Sequence, residues 1–208
     1  MENTAQLVER SNPSSSSNLS LVEDVASPEI AALYESFKTR FNRPAVPGIL
    51  KCFATHPPLA RCMVDLASSF LFVDGHLTCR QKEMIAALVS SQNACPYCAD
   101  SHGFSFLQRG GSTQALTAIQ ADDFRSSEFD EQERALLQFV VKVTHASHQI
   151  CRADIDQLLA AGWTESQIAE GVHIAALYAA FNRIANAFGL PSQGLLSSTD
   201  PAQSEKSD

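Results

Sequence analysis

Apolar residues recur along this chain every three or four positions, the period of a helix face. Ser27 and Pro28 give an N-cap followed by Pro at the first helical position, and EIAALYESFKTRF continues with apolar residues at helical spacing. Pro44 and Pro47 break the pattern. Pro57 and Pro58 open LARCMVDLASSFLF, which stops near Gly75. Thr78 and Gln81 stand at capping-box spacing and start a helix carrying Met84, Ile85, Leu88 and Val89. Asn93 is the expected N-cap of the next helix, which Gly110 and Gly111 end. Ser112 begins a short helix, and Asp130 with Glu133 starts RALLQFVVKVTHAS. Asp154 lies near the start of another short helix that ends at Gly162. Thr164 and Gln167 repeat the capping-box spacing and open a helix to Phe188, closed by Gly189 and Pro191. No stretch alternates with the two-residue period of a strand. The pattern predicts an all-α fold, a bundle of about eight helices with no significant sheet.

The last of these helices is apolar over most of its circumference, through Ile168, Val172, Ile174, Leu177, Tyr178, Phe181, Ile184 and Phe188. Such a helix is buried in a bundle core or at a subunit interface, which predicts a homo-oligomer. Residues 1–20 and 192–208 are polar and Ser-rich and read as disordered tails, leaving 21–191 as one helical domain. At 208 residues and 45% hydrophobic content the chain is long enough for one sizeable core. Its net charge of −8 excludes a basic nucleic-acid footprint, so no nucleic-acid partner is expected. No apolar run is long enough to span a bilayer, so no membrane partner is expected, and the N-terminus lacks the basic-then-apolar order of a signal peptide. A cytoplasmic protein is the expectation. Six cysteines are too few for a disulfide scaffold, so a local cluster of them points to metal or redox chemistry.

That cluster is Cys95-Pro96-Tyr97-Cys98, followed by His102. On a helix the three positions share one face. Near a helix N-terminus the free N–H groups and the dipole favour a thiolate. Three readings compete. Two cysteines and a histidine can be ordinary half-buried helix residues. A zinc site could use Cys95, Cys98, His102 and Glu83, but no second Cys/His pair stands at suitable spacing. Thiol–disulfide or peroxide chemistry fits the residue types and their placement best. CPYC also matches glutaredoxin active sites, but there a strand precedes the motif, and here a helix does.

The wider pattern is Glu83, eleven residues, Cys95, two residues, Cys98, three residues, His102. It resembles the core motif of alkylhydroperoxidase AhpD-like proteins in the carboxymuconolactone decarboxylase superfamily. VPGILKCFATHPPLA before the motif and AALYAAFNRIANAFGL after it are similar to the peroxidase-related branch. The resemblance covers roughly 25–190. It implies a thiol-dependent peroxidase that reduces alkyl hydroperoxides, with no cofactor and no metal. Cys98 attacks, Cys95 resolves, and Glu83 and His102 relay protons. A dithiol or protein reductant reopens the disulfide, and the assembly is a trimer or hexamer. The decarboxylase branch generally lacks the cysteine pair. The founding hydroperoxidases carry a His just before the second Cys, where this chain has Tyr97. Position alone favours Cys95 as the more acidic thiol, whereas His102 one turn after Cys98 favours Cys98 as the nucleophile. Two other activities stay open: a dithiol electron-transfer adaptor, and a non-catalytic redox-sensing or zinc-binding module.

Outside the motif, Cys52, Cys62, Cys79 and Cys151 read as free thiols acting as small hydrophobes. His173 reads as a core or interface histidine, and His145 and His148 as structural. Asn182 and Arg183 interrupt the apolar helix and suggest a buried polar contact.

Overall fold

A computed structural model describes residues 17–23 and 27–197. Of the tails expected to be disordered, 1–20 and 192–208, residues 1–16 and 198–208 lie outside the described residues, whereas 192–197 are placed against Asp100 and Ser101. Among the described residues nine α-helices follow one another without a strand. They are α1 (Pro28–Phe41), α2 (Gly48–Phe53), α3 (Pro57–Leu66), α4 (Cys79–Gln92), α5 (Pro96–Gln108), α6 (Thr113–Gln120), α7 (Glu131–Ala146), α8 (Arg152–Ala160) and α9 (Glu165–Phe188). The all-α expectation therefore holds, with one helix more than the pattern suggested. The extra helix is α2, six residues long and without a side-chain cap. So short a run between prolines shows no helical period.

Local signals explain most boundaries. Ser27, Thr78, Ser112, Asp130 and Thr164 each accept a first-turn backbone N–H through the side chain. Each such cap stabilises its helix by about 1 kcal/mol. Thr78–Gln81 and Thr164–Gln167 form complete capping boxes. Gly189 closes α9 at φ 74°, a left-handed conformation that an L side chain rarely adopts. After Leu66 the helix does not simply continue. Ala67–Leu71 form one π-helical turn before the chain bends toward α4.

Helix α4 is the centre of the molecule. Every residue from Lys82 to Ser90 is buried, and α5, α6, α7 and α9 pack around it. Two charged residues lie in that buried run, Lys82 and Glu83. Lys82 Nζ meets Glu170 Oε1 of α9 at 2.6 Å and donates to the carbonyls of Phe70 at 2.7 Å and Val73 at 2.8 Å. Glu170 Oε2 accepts from Leu77 N at 3.0 Å. One buried ion pair thus ties α4 and α9 to the segment between the π turn and α4.

Helix α9 differs from its expected all-round burial. Ala169, His173, Ala176, Ala180, Arg183 and Ala187 form an exposed stripe of mostly small residues. Alanine counts as apolar in the pattern but covers little area, so the stripe was invisible there. His173 is exposed and edge-on to Phe70. Arg183 also faces solvent and bonds its own helix at the Ala179 carbonyl, 2.6 Å away. Asn182 alone makes the buried polar contact. Beyond α9, residues 191–197 run along α5. Leu195 N and Leu196 N donate to the Asp100 carboxylate at 3.1 and 2.9 Å, and Gln193 Nε2 donates to Ser101 Oγ at 2.6 Å.

Candidate active site

The turn between α4 and α5 sets the site. Asn93, expected to cap α5, instead ends α4. Ala94 follows at φ 48°, its N–H bonded to Ser91 O at 3.0 Å, and Cys95 N–H donates to Ser90 O at 3.0 Å. This is a complete Schellman motif with Ala where Gly is usual. A left-handed alanine costs about 1–2 kcal/mol. Without a Gly the sequence carried no mark of the motif, and Asn93 looked like an N-cap. The consequence is chemical. Cys95 becomes the N-cap of α5, and Pro96, Tyr97 and Cys98 fill the first turn. Both thiols therefore sit where the helix dipole favours negative charge.

The turn folds α5 back along α4 and brings Glu83 and His102 together. Glu83 Oε2 lies 2.7 Å from His102 Nδ1, and Glu83 is 2% exposed. A carboxylate on Nδ1 holds the imidazole proton there and leaves Nε2 free as a base. Arg109 Nε is 3.7 Å from the other oxygen, Glu83 Oε1. The His102 ring packs edge-on against Tyr178 at 4.4 Å between centroids. Burial and the nearby Glu83 charge push the Tyr178 phenol far above its ordinary pKa, so it stays protonated.

Cys95 and Cys98 are free thiols, 1% and 3% exposed, packed with Cys52, Tyr97, Ala185 and Leu190. The Cys98 thiol hydrogen-bonds Cys95 and lowers its pKa from 9.0 to about 7, overcoming burial, with His102 adding a favourable charge. The same contact, with burial, drives Cys98 strongly upward. Of the two thiols, Cys95 is thus the more acidic. Burial also raises Cys52, to about 11. Asn182 of α9 reaches the pair, its carboxamide held by Ser90 Oγ at 3.0 Å and Asn93 Nδ2 at 3.1 Å. The Tyr97 hydroxyl is engaged by α2 rather than by the relay. It accepts from Ile49 N at 3.3 Å, and burial pushes it to about 12.

A cavity of about 660 Å³ opens beside these groups. Cys98, Glu83, His102, Arg109 and Tyr178 line it, and Cys95 does not. The four residues singled out in the sequence are therefore one constellation: Glu83 and His102 in direct contact, Cys98 on the cavity, Cys95 behind it. The pattern missed Tyr178 and Arg109, and marked Asn182 only as a buried polar contact, not as part of the site. Tyr178 and Asn182 are one turn apart on α9, a polar pair on an apolar helix, which is the one signal the sequence held. Among the described residues no group of three or more His, Cys, Asp or Glu side chains is disposed to hold a metal ion. No helix among them is long and apolar enough to cross a membrane.

Comparison with known proteins agrees with this fold. The sequence model of the PA26 p53-induced protein (sestrin) family matches residues 17–208. The structure is similar to an uncharacterized peroxidase-related protein from Silicibacter sp. TM1040, with TM-score 0.75 and 25% identity, covering 86% of this chain and 93% of that one. A peroxidase-related protein with an alkylhydroperoxidase AhpD core from Ralstonia eutropha JMP134 superposes with TM-score 0.77 at 24% identity, covering 89% and 96% of the two chains. The debrominase Bmp8, in complex with 2,3,4-tribromopyrrole, shares the fold at TM-score 0.67 and 18% identity over 86% and 92%. No curated protein matches the chain significantly. The AhpD-like fold expected from the motif is thus confirmed, and the family that matches is the sestrin one rather than the decarboxylase superfamily by name.

Proposed function

The chain belongs to the PA26 p53-induced protein (sestrin) family, and on that premise we propose that it is a thiol-dependent peroxidase working through a Cys95/Cys98 dithiol–disulfide cycle. One observation carries the reading: a thiol pair shares a buried site with a carboxylate-held histidine, and one of its sulfurs, Cys98, lines a cavity large enough for a small molecule. The peroxidase-related neighbours support it.

Cys98 is the attacking sulfur because the cavity reaches it and not Cys95. Its proton passes to His102, and the thiolate attacks one peroxide oxygen. The O–O bond breaks, the leaving alkoxide takes the proton from His102, and Cys98 becomes a sulfenic acid. Glu83 stabilises the charged imidazole between these transfers. Cys95 then ionises and its thiolate attacks the sulfenic sulfur, forming the S–S bond and breaking the S–O bond, and the departing hydroxide takes up the proton that Cys95 released and leaves as water. The sum is one hydroperoxide and two thiols giving one alcohol, one water and one disulfide. An external dithiol restores the pair.

A dithiol adaptor for another protein is the second reading. Both sulfurs are almost completely buried, and thiol–disulfide exchange needs in-line access of a partner's sulfur. That favours the small peroxide. Turnover of a hydroperoxide with excess dithiothreitol tests the proposal. Glu83→Gln and His102→Ala lower turnover about 10²–10⁴-fold with an unchanged helical spectrum. Unchanged turnover in both makes the two residues structural only, and no turnover in the parent protein overturns the proposal.

A further inference from the structure

Three arginines and a single carboxylate line the cavity of a chain whose net charge is −8. The carboxylate is Glu83, already committed to His102 and Arg109. The other two arginines, Arg40 and Arg43, come from the end of α1 and the turn after it, and both are exposed. Asn42, at φ 48°, ends α1 and turns the chain there. Arg40 reaches Asp65 at 3.3 Å in a solvent-exposed pair, which holds it weakly. Among the described residues Arg43 has no carboxylate partner.

Between these arginines and the thiol the walls are apolar and aromatic. Along one run of the lining, Phe37, Phe41 and Phe72 are in tilted and edge-on ring contact, with centroids 4.7 and 5.7 Å apart. Along another, Tyr178, Phe181 and Phe53 continue from His102 at 5.6 and 6.0 Å. The cavity is therefore apolar along its walls, reactive at its buried side and cationic at its exposed side. Its volume of about 660 Å³ falls among pockets that enclose one drug-sized molecule. Two acyl chains of a phospholipid would need more room than one.

Building on the peroxidase reading above, we infer that the substrates are single-chain amphipathic hydroperoxides carrying a carboxylate, of the fatty-acid hydroperoxide class. The peroxide group meets Cys98, the hydrocarbon lies between the aromatic walls, and the carboxylate pairs with Arg43 and Arg40. Hydrogen peroxide uses none of the apolar wall. Each buried methylene strengthens binding about fourfold, so a long-chain substrate outruns hydrogen peroxide by far more than tenfold in kcat/KM. An ion pair at a solvent-facing mouth adds at most about fivefold.

The test compares kcat/KM for linoleic acid hydroperoxide, its methyl ester, phosphatidylcholine hydroperoxide in vesicles and hydrogen peroxide, below the micellar range. The expected order is acid, then ester, then hydrogen peroxide, with the vesicles inactive. In Arg43→Ala and Arg40→Ala/Arg43→Ala the acid-to-ester ratio falls toward one through KM of the acid. Equal kcat/KM for acid and ester, or for acid and hydrogen peroxide, overturns the assignment, as does a preference for the vesicles. A direct binding measurement separates this failure from failure of the peroxidase reading. The unreactive hydroxy acid, titrated by calorimetry, binds the parent protein and binds Arg40→Ala/Arg43→Ala several-fold more weakly. If it does so while no hydroperoxide is turned over, the anion-ended pocket stands and the peroxidase reading falls. If it does not bind, the pocket assignment falls whatever the peroxide kinetics.

Discussion

Two sulfurs three positions apart on the chain carry different burdens. Cys95 is the more acidic, because Cys98 donates to it and the α5 N-terminus faces it. Cys98 holds the access, because the cavity touches it. The ultraviolet thiolate absorbance that the parent protein shows and Cys95→Ser lacks therefore rises through about pH 7 rather than 9.0. The sign follows from the depressed pKa: acid below that midpoint protonates Cys95 and removes the absorbance, and base above it brings no further gain. Cys98→Ala removes the largest cause of the shift and moves the midpoint upward. An unmoved midpoint places the cause elsewhere. The division of labour predicts a second asymmetry. Cys95→Ser reacts once with hydroperoxide and stops at a sulfenic acid on Cys98 that dimedone traps. Cys52 is the only other thiol in that cluster, and burial holds it protonated at about 11, so it does not resolve the intermediate. Cys98→Ser shows no sulfenic acid. Label on Cys95 in Cys98→Ser reverses the roles. Glu83, Cys95, Cys98 and His102 were legible because their spacing alone brings them together once the α4–α5 turn forms. Tyr178 and Arg109 were not, and Asn182 was legible only as a buried polar residue, because contacts across helices leave no trace in local spacing.

Helices and their joints carry a different kind of information. Capping residues wrote most helix starts into the sequence, and the structure keeps Ser27, Thr78, Ser112, Asp130 and Thr164 as caps. The α4–α5 joint was misread because Ala94 takes a conformation its residue type does not announce. Strain of this kind collects at functional sites. The π turn Ala67–Leu71 was also illegible, since a single wide turn keeps the helical pattern. Its position is fixed instead by Lys82, whose ammonium binds the Phe70 carbonyl inside that turn. Lys82→Met leaves the Glu170 carboxylate buried without its counter-charge. Urea unfolding should show a loss of about 3–5 kcal/mol. Adding Glu170→Gln returns part of it. A loss below about 1 kcal/mol in the single variant would mean that water or a second cation reaches Glu170.

At the scale of the whole molecule, one buried helix, α4, supplies the carboxylate, and its neighbours α5 and α9 supply the thiols, the histidine, the tyrosine and the amide. The long apolar α9 was read correctly as a core element, although its exposed alanine stripe shows that a helix of small residues can be apolar in sequence and open to solvent. The cavity has no counterpart in the sequence, because its walls come from α1, α2, α3, the π turn, α4, α5, α9 and the segment after α9 together. What joins these parts into a function is the redox cycle of the thiol pair. Its most direct measurement is mass spectrometry of the full-length reduced protein before and after one equivalent of organic hydroperoxide, with the peptide spanning Cys95 and Cys98 mapped. The account predicts loss of two hydrogens from that peptide, an internal Cys95–Cys98 disulfide, full reversal by dithiothreitol, and no change at Cys52, Cys62, Cys79 or Cys151. Both thiols remaining free after hydroperoxide, while still reacting with iodoacetamide, would contradict it.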